Sequence, residues 1–393
     1  MKKTLVFLPF LLYAGILSDI KVKELSLEKE KSIASSNETK KSWINPILLQ
    51  YQFNHTNSLH VTRQNTQTFS IIINQPIFKS GAIYYSIKYA KNLKNYNLKQ
   101  IELQKRNLIK SAYDLVYDYK ITKLNEEIAL LNIKNAEIDV KRKKEDYLSG
   151  TSDSTFLNQA IISLNNIRLS LEDLKFNEKQ IIYSFANLSD LDINSVSLPK
   201  LKLLKKDEFL DKNLNLIASK LNNKIQYSLY KMQLGNQLVS VSFNANYNIQ
   251  KIDYTNENNI YKDDTNNFYN VGVSVSLPID VTSKDKIQKT KLSYLKSKYE
   301  TLDKKRELIN EYKMIIAQID TLKKKKKIYK ENAIAYKNLI DSTYESIKAG
   351  SATKDDLTTL QNSYKIMLLN QKIVDLKVQK LLLNLYYQIN SNF

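Results

Sequence analysis

Phe69-Ser-Ile-Ile-Ile-Asn-Gln-Pro76-Ile77 returns later in the chain as Val271-Gly-Val-Ser-Val-Ser-Leu-Pro278-Ile279. Further along each copy, Tyr147-Leu-Ser-Gly150-Thr-Ser-Asp-Ser-Thr-Phe-Leu157 returns as Ile347-Lys-Ala-Gly350-Ser-Ala-Thr-Lys-Asp-Asp-Leu357. The prolines are offset by 202 residues and the glycines by 200. With only five Pro and six Gly in 393 residues, the chain places four of them at matching points of a tandem repeat. Each copy reads strand, Pro, very long helix, Gly turn, helix. A period this long means two copies of one architecture rather than a short-period solenoid.

The strand signals are alternations of apolar and polar residues. In the first copy Leu49, Tyr51 and Phe53 alternate with Gln50, Gln52 and Asn54, and Phe69, Ile71 and Ile73 form a second run that Ile72 disturbs. In the second copy Val239, Val241, Phe243, Ala245, Tyr247 and Ile249 alternate with small polar residues, as do Val271, Val273, Val275 and Leu277. Period two puts the apolar side chains on one face and uncharged polar ones on the other. A soluble sandwich also alternates. Strands of about 10 residues, apolar outward and polar inward, also suit a membrane barrel. Four strands are too few to close one, and an open sheet cannot span lipid. Membrane insertion would therefore require several chains to pool their strands.

From Gly81 to Leu148, and from Thr282 to Ala349, no Pro and no internal Gly interrupts the chain. Each stretch could run roughly 100 Å as a single helix. Ile121, Leu124, Ile128 and Leu131, and likewise Leu292, Leu295, Tyr299 and Leu302, recur at the three- and four-residue spacings of a coiled-coil seam. Gly150 and Gly350 suit the left-handed cap that ends a helix. Thr151-Ser152-Asp153 and Ser351-Ala352-Thr353 then supply N-cap side chains for a returning helix. Both copies thus predict an α-hairpin.

Met1-Lys-Lys followed by apolar Thr4 to Leu12, with Ala14 or Ser18 before a cleavage point, reads as a secretory signal peptide over 1–18. No later apolar run is long enough for a spanning helix, so the chain is expected to be exported without one. The expected layout is a first repeat over 19–188, with strands about 47–56 and 67–77 and a helical hairpin about 80–188. An irregular linker follows over 189–222. A second repeat covers 223–393, with strands about 237–254 and 268–279 and a hairpin about 282–390.

Composition removes several functions. The net charge is +20, but its lysines are spread along the chain rather than gathered on one face, which argues against nucleic acid. The dense run Lys323–Lys327 reads first as a solvated helix surface, and second as a contact for anionic lipid or an acidic partner. With no Cys there is no disulfide, thiol chemistry or Cys-ligated metal, and His55 and His60 alone would under-ligate a metal. No cofactor, metal or catalytic site is expected: no nucleophile triad, phosphate loop or supported carboxylate pair is present.

Taken in order, these pieces resemble the TolC family of outer-membrane efflux proteins. The resemblance is carried by Gln75-Pro76-Ile77-Phe78 leading through Gly81 into a long helix, by Leu277-Pro278-Ile279, by Tyr147-Leu-Ser-Gly150, and by Lys348-Ala-Gly350 with Asp356-Leu357. It implies a fold that is mainly α with a membrane β part: a homotrimer whose 12-stranded β-barrel in the outer membrane of a Gram-negative bacterium continues into an α-helical tunnel in the periplasm. It also implies a passive export conduit of a tripartite efflux or type I secretion system, gated at its periplasmic end. The partners implied are outer-membrane lipid, a periplasmic adaptor (membrane fusion) protein, and an inner-membrane pump or ABC transporter. The tips, Tyr147, Gly150, Thr151, Ser152, Gly350 and Ser351, would dock the adaptor. Pro76 and Pro278 would mark the handover from strand to helix. Asp356 occupies the position of an acidic gate residue in relatives, whereas Thr359 stands where a second acid often follows. Ile347 replaces the aromatic that Tyr147 supplies in the first tip.

Plainer readings stand beside these. The glycines form turns whatever they contact, and the prolines need only separate strand from helix. Asp356 equally suits a charge at a helix N-terminus. Tyr51, Tyr247, Tyr254 and Tyr269 suit a membrane interface. The rival for the whole chain is a soluble periplasmic coiled-coil scaffold or adaptor-like protein, which accounts for the hairpins but poorly for duplicated strands beside them.

Overall fold

A computed structural model describes residues 15–57, 63–255 and 261–389. Met1–Leu12 and Ala14 of the signal-peptide reading, His60, and the side chain of Tyr254 lie outside this description. The elements in order are α1 (Asp19–Lys41), β1 (Leu48–Asn57), β2 (Arg63–Lys79), α2 (Ala82–Leu148) and α3 (Ser154–Ala186) in the first copy. Then come α4 (Lys206–Lys212), α5 (Leu214–Asn236), β3 (Ser240–Thr255), β4 (Tyr261–Ser276), α6 (Ser283–Lys348) and α7 (Lys354–Tyr386). The chain is mostly helical, with one small antiparallel sheet in the order β1-β2-β3-β4. Among the described residues, no helix is long and apolar enough to cross a membrane.

Two compact units divide the chain, and each draws on both copies. One contains residues 28–100 and 216–304: the sheet, α5, most of α1, and the first turns of α2 and α6. Its helices meet through rings and small polar side chains. Tyr85 and Tyr227 lie 6.2 Å apart edge to face, and Tyr227 and Tyr294 lie 5.3 Å apart. Asn92 donates to Ser228 Oγ (3.2 Å), Asn223 donates to Ser297 Oγ (3.0 Å), and Ser36 Oγ donates to the carbonyl of fully buried Ala90 (2.9 Å). Small residues at these crossings let the helices approach, and the hydroxyls of Ser36, Ser228 and Ser297 each find a partner there.

The other unit contains residues 1–27, 101–215 and 305–393. Its densest core forms where the connection between the copies meets α2, α6 and α7. Tyr117, Phe209, Leu214, Leu308, Leu383 and Leu385 are all essentially fully buried there. Tyr312 OH donates to the Leu204 carbonyl (2.7 Å) and Tyr119 OH to Asn194 Oδ1 (2.7 Å). The backbone N–H of Leu214 donates to the carbonyl of Gln388 (2.7 Å), closing a bridge between Asn213 and Ile389. This connection is packed, although residues 196–205 form neither helix nor strand. Burial pushes the Tyr113 hydroxyl pKa up to about 12 and also raises those of Tyr119 and Tyr312, so these phenols remain neutral. A smaller cluster of Leu131, Ile366 and Leu369, with Leu124, Ile128 and Met367 against it, joins α2 to α7.

Candidate functional site

The sheet has two unlike faces. Direct cross-strand partners share a face. Leu49, Ile71, Tyr247 and Tyr269 form one row, and Tyr51, Phe69 and Ile249 part of the next. Ala245 opposes Val271 and Phe243 opposes Val273, extending the same side. The opposite side is polar: Ser70 Oγ donates to Asn248 Oδ1 (2.7 Å), Asn244 Nδ2 donates to Ser274 Oγ (2.9 Å), and the hydroxyls of Ser240 and Ser276 meet at 2.8 Å. The apolar side is uncovered among the described residues. Leu49 and Val275 are each 70 % exposed and Tyr269 is 78 % exposed, values at which a soluble core would not leave such residues. Among the residues suited to a membrane interface, Tyr51, Tyr247 and Tyr269 stand on this side.

The two copies pass from strand to helix differently. Pro76 lies inside β2, not at its end. The β2–β3 register slips between Pro76 and Phe78, a bulge that accommodates a residue with no N–H to give. Beyond Ile72, β2 has no β1 partner, which makes this stretch one-sided and tolerant of Pro. The turn itself is made by Ser80 and Gly81, both at positive φ (42° and 85°). Ser80 Oγ donates to the Val239 carbonyl (2.6 Å). Gly235 of α5 lies so close that a Cβ there would come within 2.7 Å of Ala82 N and 2.8 Å of Ser80 O. Pro278 lies in the connection between Ser276 and Ser283. There Asp280 gathers the donors ahead of α6: Lys286 Nζ (2.6 Å), Thr282 Oγ1 (2.7 Å) and Thr282 N (2.8 Å). These donors, Lys286 first, hold its pKa down to about 2. Ile279 and Val281 beside it are each 96 % exposed.

The tips repeat one another in their backbone hydrogen bonds. At the end of α2, Gly150 N donates to the Tyr147 carbonyl and Thr151 N to the Asp146 carbonyl; at the end of α6, Gly350 N donates to Ile347 and Ser351 N to Ser346. This is the paired 5→2 and 6→1 closure of a Schellman motif, with each Gly in the left-handed region (φ 73° and 76°). No atom lies within 4 Å of a Cβ built on either Gly, so conformation and not space selects glycine. Tyr147 and Gly150 to Thr151 are exposed, as are Gly350 and Ser351, while Ser152 is half-buried.

The returning helices are capped by different devices. Asp153 accepts from Thr155 N (2.7 Å) at the start of α3. At the start of α7, Thr353 and Asp356 form a full capping box: Asp356 N donates to Thr353 Oγ1, and Thr353 N donates back to Asp356 Oδ2. Thr353 Oγ1 also donates to Asp356 Oδ2 (2.7 Å). The other carboxylate oxygen of Asp356 accepts from Arg142 Nη2 of α2 (2.6 Å), and neighbouring Asp355 pairs with Lys141 (2.9 Å). The Thr353 bonds first, and then Arg142, hold the Asp356 pKa below the usual carboxylate range. Two adjacent basic residues before the first tip thus clasp two adjacent acids after the second. The sequence displays all four, but their pairing joins residues more than 200 positions apart and has no local signal.

The Lys323–Lys327 run lies on α6 among ion pairs. Lys324 meets Asp320 (3.1 Å), Lys326 meets Asp375 of α7 (2.6 Å), and Lys327 meets Glu331 (3.8 Å). His55 Nδ1 lies 2.7 Å from Asn65 Oδ1. Among the described residues, no group of three His, Cys, Asp or Glu is placed to hold a metal.

Solved structures share this fold. The outer membrane protein VceC from Vibrio cholerae superposes with a TM-score of 0.71 at 9 % identity, covering 92 % of each chain. The CmeC outer membrane channel of Campylobacter jejuni gives 0.75 at 13 % identity, covering 96 % of this chain and 85 % of that one. The open state of the MtrE outer membrane channel of Neisseria gonorrhoeae gives 0.67 at 14 % identity, covering 96 % and 86 %. No curated protein sequence matches the chain. Residues 207–387 match the family model described as outer membrane efflux protein, a family of passive channels rather than enzymes. With that match in its second copy and that architecture throughout, the chain carries an outer membrane efflux protein domain on the fold of the TolC-family channels.

Proposed function

We propose that this chain forms an outer-membrane channel of a tripartite efflux or type I secretion system, working as a homotrimer. The observation that carries the reading is the sheet: four strands with one face apolar and uncovered, in a chain with an outer membrane efflux protein domain. Backbone at the outer edges of β1 and β4 has no strand partner among the described residues, and lipid does not tolerate unpaired edges. Pooling the strands of three chains gives a closed barrel of twelve, with the apolar face toward lipid and the Ser/Asn face toward a wet lumen. Segment 1–18 acts as the export signal.

In this reading α2, α3, α6 and α7 build the periplasmic tunnel wall. The tips at Tyr147, Gly150, Thr151, Ser152, Gly350 and Ser351 contact a periplasmic adaptor, which couples the channel to an inner-membrane pump or ABC transporter. Asp356 sets the periplasmic gate, held in place by Thr353 and Arg142. Conduction is passive: no bond is made or broken, and opening requires the tip contacts to rearrange. Pro76 and Pro278 lie where barrel passes to tunnel.

Membrane fractionation tests this reading. The protein should sediment with outer membranes and leave them only with detergent. Recovery in a detergent-free periplasmic extract would instead favour a soluble scaffold.

A further inference from the structure

An aromatic side chain stands on the polar face of the sheet. Phe268 of β4 is 49 % exposed, and strand pairing fixes which way it points. Asn248 and Ser274 take part in the polar-face hydrogen bonds described above. β3 and β4 pair without a slip from Ser240 opposite Ser276 to Thr255 opposite Tyr261. Phe268 is the direct partner of Asn248 and lies an even number of residues from Ser274, so it projects on the polar side. Along and across the strands its neighbours on that side are Asn246, Gln250, Asn266 and Asn270. One row away, Leu48 opposes Ile72 on the same side, and that row continues to Asn246 and Asn270. Asn246 Oδ1 is buried and finds no hydrogen-bond donor among the described residues.

We infer that Phe268, with Leu48 and Ile72, forms an apolar collar inside the lumen, and that its occupant is the apolar part of an amphipathic solute in transit. The inference rests on the barrel proposed above. An amide-lined wall offers hydrogen bonds that water also satisfies, so by itself it retains nothing. An aromatic ring adds a desolvated contact surface and a negative face for cationic groups. The polar part of the same solute is met by the amides beside the ring, Asn266 and Asn270. Three copies would place three rings around one lumen, at a level where the other residues of the row, Asn248, Ser70 and Gln50, are neutral and polar.

The chain has no Cys, so a single introduced thiol reports without background. Phe268→Cys and Tyr269→Cys, neighbours on opposite faces, are compared in planar bilayers with a charged, water-soluble methanethiosulfonate reagent. Current through Phe268→Cys channels should fall in steps on adding reagent, while Tyr269→Cys channels stay unchanged. Phe268→Asn should raise the conductance and weaken block by tetraphenylphosphonium about tenfold, as expected for loss of ring contacts. Conducting Phe268→Cys channels that ignore the reagent, or an unchanged blocking constant in Phe268→Asn, would place the ring in a seam between copies and overturn the collar alone. Wild-type protein that forms no channel would overturn both the collar and the channel.

Discussion

Arg142 on α2 donates to Asp356 at the start of α7 over 2.6 Å, so a base eight residues before the first tip glycine holds the acid six residues after the second. The second oxygen of Asp356 is committed to Thr353, so both of its oxygens are engaged within one chain. The choice between a helix-start charge and a gate residue thus becomes a question of coupling. Asp356 caps α7 and ties that cap to α2, and any gate role acts through this tie.

Asp356→Ala should raise single-channel conductance by loosening the tip, and Arg142→Ala should reproduce much of the rise. The double variant should add little to either single change, because both remove one contact. The pair is half-exposed, so its effect on global stability should stay within about 1 kcal/mol. Thr353→Ala removes the cap itself, at about 1 kcal/mol. The Asp356 pKa is depressed on folding, so its stabilisation is complete above the ordinary carboxylate range and is lost as pH falls through the lowered value. Unchanged conductance and cation preference in Asp356→Ala would remove this residue from the gate.

Gly150→Ala and Gly350→Ala put a Cβ into open space but at positive φ, at about 1 kcal/mol each. Thermal unfolding should therefore shift only modestly. Export in cells should survive alanine and fail with tryptophan at either tip, since only the latter adds bulk where the adaptor is proposed to sit. Normal export by Gly150→Trp and Gly350→Trp would move the docking surface elsewhere.

Gly235→Ala should be the more damaging glycine change. Its Cβ would meet the backbone of Ser80 and Ala82, which cannot turn aside as a flexible side chain could. Overpacking of this kind costs about 1–3 kcal/mol. The variant should lower both the melting temperature and the yield of assembled protein more than Gly150→Ala does. Equal behaviour of the two variants would contradict the close approach.

Asp280 should matter under acid conditions. Its pKa is about 2, below the ordinary value near 4. Its stabilisation of the α6 start is therefore complete above pH ~4 and disappears as pH falls toward about 2. Hydrogen exchange at the first turn of α6, corrected for intrinsic rate, should speed up over that window in the wild type. Asp280→Asn should exchange faster already at neutral pH and show no such acid step.

The sequence discloses most where the signal is local and periodic. Long breaker-free runs yield α2 and α6 because little but Gly or Pro ends such helices, and Gly150 and Gly350 are legible because a left-handed cap nearly demands glycine. Alternation locates the strand cores but not their length. β2 begins at Arg63, in a polar tract without alternation, and runs past Pro76 through a bulge that no pattern announces. The connection over 189–222 reads as irregular because α4 is a single short stretch, yet Phe209 and Leu214 are buried by elements distant in sequence. The clasp of Lys141 and Arg142 on Asp355 and Asp356 and the close approach at Gly235 are hidden for the same reason: both are made between segments remote along the chain. Phe268 was open to inspection as an aromatic out of phase with Tyr269 and Val271, but its face becomes certain only through the β3–β4 register.

Single-channel recording of detergent-purified protein in planar bilayers tests the central claim most directly. A channel pooled from several copies predicts discrete, long-lived conductance steps from a species that crosslinks as three chains. Purified, folded protein that stays soluble without detergent and leaves the bilayer electrically silent would contradict it.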